Sequence, residues 1–361
     1  MNFNKIIISL LTATSIISGS PQIKNNSNNY IEQNKNVNIT STQTTDSSLS
    51  SSEEAYIHFI STGNSDSILI MTQNKVVLID GGDNDDESYL VNFIKNKDIQ
   101  KIDYLIATHP DADHVGALDK ITDSFDIRQI FIGNSTSNSK TYKDFINSVA
   151  NKGLHPSVPL EGTKIELDSS SYLQFFNTKG GSNANESSLV ILFVNNNDKV
   201  LFMGDAGFET EKRILDSLPD VDLIKIGHHG SKNSTSNALL NKVKPEEAVI
   251  TTGENNYGHP HQSILSKLNS YKITSHRTDL CGTITYTSSG NGLIPQCENS
   301  HRDNNDSTKQ DTFNLEEKVV LSASGKKYHR DTCKYVKTIK AYLSIESAIA
   351  KGYSECKVCF E

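Results

Sequence analysis

Apolar side chains are scarce in this chain: 35% of its residues are hydrophobic, 7% are aromatic, and tryptophan is absent. An average globular chain carries roughly 45–50% apolar residues with glycine counted, so part of this sequence lacks the surface to offset chain ordering and is expected to be unstructured. Cysteine is sparse too. Five residues, three of them beyond residue 330, exclude a disulfide scaffold. A basic excess is also missing: 35 Lys and Arg stand against 43 Asp and Glu, a net charge of −8. That balance excludes a protein that coats nucleic acid or anionic membrane by bulk electrostatics. Any DNA contact must be local.

At roughly 100–200 residues per domain, 361 residues allow two folded domains plus accessory segments. Lys5, the apolar run 6–17 and the small residues Ser18, Gly19 and Ser20 have the layout of a secretory signal peptide, assigned to residues 1–20. About 12 apolar residues fall short of the roughly 20 of a membrane span, so the mature chain is expected to be extracellular with no transmembrane segment. No cysteine follows the run to carry a lipid anchor. Residues 21–52 are rich in Asn, Ser, Thr and Gln and read as a polar linker. Residues 53–298 hold 21 basic and 32 acidic side chains, a net of −11, whereas residues 315–361 hold 9 and 6, a net of +3. The polar stretch 299–314 between them reads as a second linker.

Within 53–298, β-rich runs are predicted at 56–60, 67–71, 76–79, 103–107, 128–132, 173–176, 189–194, 200–203, 223–226, 248–251 and 283–286. Helices are predicted at 87–97, 140–150, 209–218 and 263–268. The layout is α/β, strands sandwiched between helices. Asp80, His109 to His114, Asp205, His228-His229 and His259 each follow a predicted strand, which collects carboxylates and imidazoles at one set of strand ends. His109-Pro-Asp111-Ala-Asp113-His114 places four candidate ligands within six residues, where a short loop can turn alternate ones toward two cations. Carboxylate with imidazole suits zinc or manganese. On extended backbone, His228 and His229 point to opposite faces, so one of them is expected to ligate and the other to contact substrate or donate a proton. If a helix opens after them, its free N–H groups, Ser231, the serines of 234–236 and Lys232 would form an anion-binding corner; an ordinary N-cap is the alternative.

Six ordered segments, 78–82, 108–116, 185–189, 201–206, 226–232 and 257–260, resemble the metallo-β-lactamase fold superfamily, and within it the ComEC-like hydrolase domain of competence proteins. The likeness covers nearly all of residues 55–290. It implies a four-layer αββα sandwich in which His109 and Asp111 hold one metal, Asp113 and His114 the other, and Asp205 bridges them. His228 would complete the second site. Asp80 is expected to orient the ligand loop through backbone hydrogen bonds, and Asp66 to be a supporting or turn residue. Asp111 stands where the superfamily usually has His, which moves preference toward harder ions such as manganese. The histidine expected after the central strands is missing from 185–188, and His259 is expected to fill that vacancy. Two cations sharing Asp205 would acidify a shared water into a hydroxide that attacks an ester. The expected substrate is DNA and the expected protein a secreted nuclease or phosphodiesterase. An esterase acting on phosphorylcholine decorations and a non-catalytic DNA-binding protein are the alternatives.

At the carboxy end, His329-x₃-Cys333 and Cys356-x₂-Cys359 give the arithmetic of a structural zinc site. The stretch 315–361 resembles the zinc-binding module of the Ada repair protein, with His329 where that module has its methyl-accepting cysteine, so methyl transfer is not expected. Cys281 and Cys297, 16 positions apart, pair or remain thiols; sequence leaves both open.

Overall fold

Period-two alternation inside the strands sets the layers. In the strand Asp198–Phe202, Val200 and Phe202 face one core, while Leu201 faces another. The strand Val190–Asn195 divides in the same way, Ile191 and Phe193 against Val190, Leu192 and Val194. A strand apolar on both faces has to be covered on both. The computed structural model describes residues 54–301 and, farther on, 318–322, 326–330, 333–334, 336, 339–344 and 353–360. The signal peptide, both proposed linkers apart from residues 299–301, and residue 53 lie outside these.

Strands β1 (Ala55–Phe59), β2 (Ile68–Met71), β3 (Val76–Ile79), β4 (Lys101–Ala107) and β5 (Asp126–Ile132) join β13 (Ile284–Ser288) and β14 (Leu293–Cys297) in one mixed sheet. Its order is β14-β13-β1-β2-β3-β4-β5. The second sheet, ordered β12-β11-β10-β9-β8-β7-β6, contains β6 (Lys164–Glu166), β7 (Ser171–Phe176), β8 (Val190–Asn195), β9 (Asp198–Phe202), β10 (Leu223–Lys225), β11 (Glu247–Ile250) and β12 (Thr274–Arg277). Strands β9 to β12 run parallel. The facing sheets bury Ile57, Phe59, Ile70, Phe175, Phe193, Phe202 and Tyr286 between them.

Helices α1 (Glu87–Lys95), α2 (Ala112–Val115), α3 (Leu118–Ser124) and α4 (Lys140–Asn151) follow strands of the first sheet; α1, α3 and α4 cover it through Leu90, Ile94, Leu118, Ile121 and Phe145. Helices α5 (Phe208–Ile214), α6 (Asn237–Val243) and α7 (Gln262–Ser270) cover the second through Ile214, Leu239, Leu240, Ile264 and Leu265. This is the expected αββα sandwich. Among the described residues, no helix is long and apolar enough to cross a membrane. Cys281, at the end of α8 (Thr278–Cys281), is bonded to Cys297 of β14, which settles the pairing left open by sequence. In the carboxy-terminal residues a separate four-stranded sheet has the order β17-β15-β16-β18, from β15 (Lys318–Ser322), β16 (Lys327–His329), β17 (Ile339–Ser344) and β18 (Ser354–Glu355).

Candidate metal centre

The chemistry-bearing side chains gather where the strands of both sheets end. Asp80 follows β3, His109 sits two residues beyond β4, Asp205 three beyond β9, and His228 and His229 follow β10. His259 arrives differently, on the long loop between β11 and α7. Asp111 is extended (φ −74°, ψ 152°) at the start of α2, and Asp113 and His114 lie on that helical turn. A short helix therefore swings these groups toward Asp205.

Asp205 has two faces. Its Oδ1 lies 3.2 Å from His114 Nε2 and 3.5 Å from His229 Nε2. Its Oδ2 lies 3.6 Å from His228 Nε2 and 3.9 Å from His109 Nε2. Asp113 Oδ2 stands 3.5 Å from His229 Nε2 on the first face, and Asp111 Oδ2 stands 3.7 Å from His109 Nε2 on the second. Ligand atoms of Asp113, His114, Asp205 and His229 all fall within 4.8 Å of one another. The Nε2 atoms of His109, His114 and His229 and Oδ1 of Asp205 are buried without a hydrogen-bond partner. A buried polar atom left unpaired costs about 1–3 kcal/mol, and several converging on one point fit a cation. The donor set thus suits two divalent ions, one on each face of Asp205.

The supporting hydrogen bonds turn those nitrogens inward. Asp80 Oδ2 accepts from His114 Nδ1 at 2.8 Å, and its two oxygens accept from the Thr108 N–H (2.7 Å) and hydroxyl (2.8 Å). With its proton so used, Thr108 Oγ1 accepts from His109 Nδ1–H at 3.1 Å. One buried carboxylate therefore orients both imidazoles through Nδ1 and turns each Nε2 toward the site. Asp80 thus orients the ligand loop through the Thr108 backbone and adds contacts to the Thr108 hydroxyl and the His114 ring. His229 Nδ1–H donates to the Thr251 carbonyl at 2.9 Å, with the same effect.

Charge follows from this crowding. Burial opposes protonation of His114, but Asp205 and Asp80 hold its pKa well above the usual imidazole value. Burial likewise opposes ionisation of Asp205, and His114, His229 and His109 pull its pKa well below the usual carboxylate range. His109, desolvated and beside His114, is lowered to about 3.

The His-His turn departs from the sequence reading. Both residues are in left-handed backbone, φ 52° each, not on an extended segment. Their rings are 6.3 Å apart, and each places an Nε2 within 3.6 Å of a different oxygen of Asp205. His229, fully buried, joins the Asp113–His114 face that the resemblance had assigned to His228; His228, with 32% of its side chain exposed, faces the His109 side. Left-handed backbone costs a non-glycine residue roughly 1–2 kcal/mol, and tight packing imposes it here. A Cβ on Gly227 would meet the Ala206 carbonyl at 2.5 Å, and one on Gly230 would meet Pro260 at 2.6 Å. His259 has its ring 5.3 Å from His228 and 6.4 Å from His229, and the group of ligand atoms within 4.8 Å on the Asp113 face includes neither it nor His109, Asp111 or His228. His228 reaches Asp205 Oδ2 on the His109 side. The stretch 185–188 supplies support there: Ser188 Oγ accepts from the Asp205 N–H (3.1 Å) and lies 3.3 Å from His109 Nδ1, and Asn185 Nδ2 lies 3.3 Å from His228 Nδ1. His229→Ala is expected to weaken cation binding at least roughly 100-fold on the Asp113 face and His228→Ala to do so on the other. Titrating each dialysed variant with Mn²⁺ by calorimetry checks this, and unchanged isotherms for both would refute it.

The expected anion corner is filled from within. No helix opens at Ser231: α6 begins at Asn237, capped by Ser236 Oγ. The Thr235 and Ser236 N–H groups donate to the buried Glu211 carboxylate, and Ser234 Oγ donates to the Gly227 carbonyl. Those amides are committed to Glu211, and exposed Lys232 remains as the cation of this turn.

Sequence reasoning missed Lys225. It is fully buried in β10, its Nζ 2.8 Å from Asp66 Oδ2 and donating to the Ile226 carbonyl at 2.8 Å. Asp66 Oδ1 accepts from the Thr251 hydroxyl, and the Asp66 N–H donates to the Asp113 carbonyl. The pair thus braces both Asp113 and the Thr251 segment that holds His229. Its signal was a lone Lys in the apolar run Leu223-Ile-Lys-Ile226.

A second set of metal-ligating atoms lies in the carboxy-terminal residues. Ligand atoms of His329, Cys333, Cys356 and Cys359 fall within 4.8 Å of one another, and the three cysteines are thiols. His329 Nδ1 is 3.3 Å from Cys333 Sγ and 3.9 Å from Cys359 Sγ. The spacing seen in sequence does converge, and the group is consistent with a zinc module.

Residues 60–254 match the family model described as the metallo-beta-lactamase superfamily. ComE operon protein 3 of Bacillus subtilis (strain 168) is 30% identical over 207 residues, 55% of this chain and 26% of that protein. Recombination protein 2 of Haemophilus influenzae is 27% identical over 187 residues, 51% of this chain and 22% of that protein. Competence protein ComA of Neisseria gonorrhoeae is 23% identical over 258 residues, 67% and 34% of the two chains. The chain thus spans between 22% and 34% of the length of these relatives. The match to the family model over more than half of the chain, on a sandwich whose strand ends converge on Asp205, makes this chain a member of the metallo-β-lactamase superfamily.

Proposed function

We propose that the chain is a secreted, metal-dependent phosphodiesterase that cleaves DNA. The observation that carries the reading is the two-faced Asp205 carboxylate, with His109, Asp111 and His228 on one side and Asp113, His114 and His229 on the other. Each set would hold one divalent cation, and carboxylate oxygens supply enough of the donors to accept Mn²⁺ as well as Zn²⁺. Bound ions supply Lewis acidity, a lowered pKa for water and a clamp on developing oxygen charge.

The chain's own groups do the remaining work. Asp80 and the Thr251 carbonyl hold the His114 and His229 rings in one direction through Nδ1, with Nε2 turned toward Asp205. The His259 ring lies 5.3 Å from that of His228, and burial, then the neighbouring His228 and His229, lower its pKa to about 4. It is neutral at pH 7 and accepts a proton in preference to supplying one. DNA as substrate is supported by the names of two relatives, one referring to recombination and one to competence. Export rests on the pattern of residues 1–20, and the division into hydrolase 53–298 and zinc module 315–361 on charge and motif. In the module, Cys₃His around one zinc would supply much of the folding energy of a small sheet.

The test is incubation of the purified protein with single- and double-stranded DNA and Mn²⁺ or Zn²⁺. Cleavage that stops on chelation is expected. Intact DNA with two ions bound per chain would turn the reading toward another ester, and a chain that binds DNA without ions would favour the non-catalytic alternative.

A further inference from the structure

We propose that Tyr257 is a stacking platform for one base of single-stranded DNA and sets a preference for single strands; this rests on the DNA reading above. Tyr257 is 77% exposed, an unusual position for a large ring that brings no burial. Its loop is nevertheless fixed. The Asn255 side chain accepts from the Tyr257 N–H (3.1 Å) and the His259 N–H (3.0 Å), and it donates to the carbonyls of Gly253 (2.8 Å) and His259 (2.7 Å). A ring presented on a preorganised loop loses little freedom when a ligand covers it.

The ring also lies in line with the candidate centre. Tyr257 and His259 have centroids 5.8 Å apart at an interplanar angle of 30°, His259 and His228 are 5.3 Å apart, and His228 Nε2 is 3.6 Å from Asp205. A base on Tyr257 would therefore sit at the outer end of a row of rings that leads to the cluster, with its adjoining phosphodiester directed inward. Charge makes such a contact necessary. Residues 53–298, with 21 basic and 32 acidic side chains, repel a polyanion as a whole, so affinity has to come from a contact that does not depend on net charge. Base stacking on an aromatic ring is of that kind and tolerates any sequence. In a duplex both faces of each base are already stacked, so a flat exposed ring selects single strands or frayed ends.

The experiment compares the metal-loaded wild-type chain with Tyr257→Ala and Tyr257→Phe. Fluorescence anisotropy reads binding of a cleavage-resistant phosphorothioate oligo(dT) of about 12 nucleotides, an abasic strand of equal length, and a duplex. Tyr257→Ala is expected to weaken oligo(dT) binding about 5- to 150-fold with metal content unchanged, and Tyr257→Phe to restore it to within about twofold of wild type. The wild type should bind the abasic strand about as weakly as Tyr257→Ala binds oligo(dT). Equal affinity of wild type and Tyr257→Ala for oligo(dT), or of wild type for oligo(dT) and the abasic strand, overturns the platform alone. A wild-type chain that binds none of the three strands overturns the DNA reading and the platform with it.

Discussion

Asp205→Asn is expected to leave at most one divalent ion per chain and to lower phosphodiester turnover by about 10³-fold. The substitution keeps shape and removes charge. In the native chain each carboxylate oxygen serves one face, 3.2 Å from His114 on one side and 3.6 Å from His228 on the other. An amide offers one neutral oxygen and one NH₂, so one face meets a donor where it needs an acceptor, and the other loses its anion. Burial opposes ionisation of Asp205, and His114, His229 and His109 pull its carboxyl well below the ordinary carboxylate range. Elemental analysis of dialysed protein, read with single-strand cleavage rates, measures both effects. Two retained ions with turnover within tenfold of wild type would falsify the shared-carboxylate arrangement.

For Lys225→Met the expected loss is in stability, about 3–5 kcal/mol, because it strands Asp66 as an unpaired buried charge. Burial pushes the Asp66 carboxyl upward, and Lys225 first, then His229 and His114, bring it below its usual pKa. Without the ammonium group, Asp66 must take up a proton or stay charged in a dry interior. Urea unfolding in the presence of chelator isolates this effect from ion binding. The double variant Lys225→Met/Asp66→Leu should recover part of the loss, since removing both charges is far less costly than removing one. A single variant within 1 kcal/mol of wild type would show that the pair does not brace the site.

Strands with alternating or continuous apolar residues were legible in the sequence. Val76–Ile79 matches to the residue, and β8 and β9 are displaced by one or two positions. Among the strands that escaped, β12 reads Thr-Ser-His-Arg, β6 is only Lys-Ile-Glu, and β14, although Leu293 and Cys297 pack on the core, is interrupted by Pro295, tolerated because it lies at the sheet edge. Helix α6 was hidden because its N-cap, Ser236, belongs to a serine-rich run that suggested an earlier start. The Asp-rich loop announced itself by residue type. The division of labour between His228 and His229 did not, because it follows from a left-handed turn whose flanking Gly227 and Gly230 lie close against Ala206 and Pro260, segments 21 and 30 residues away in the chain. Lys225 was concealed for a related reason: its partner Asp66 lies in a distant turn.

The two sheets contribute unequal halves of one set of donors. His109, Asp111, Asp113 and His114 come from the first, and Asp205, His228 and His229 from the second. A cation seated between them acts as a rivet through the seam of the sandwich, and mass action makes the firmness of that seam depend on the free ion concentration. Binding that readied the centre for chemistry would also lock its two walls together, so the chain is expected to be easier to prise open in metal-poor surroundings.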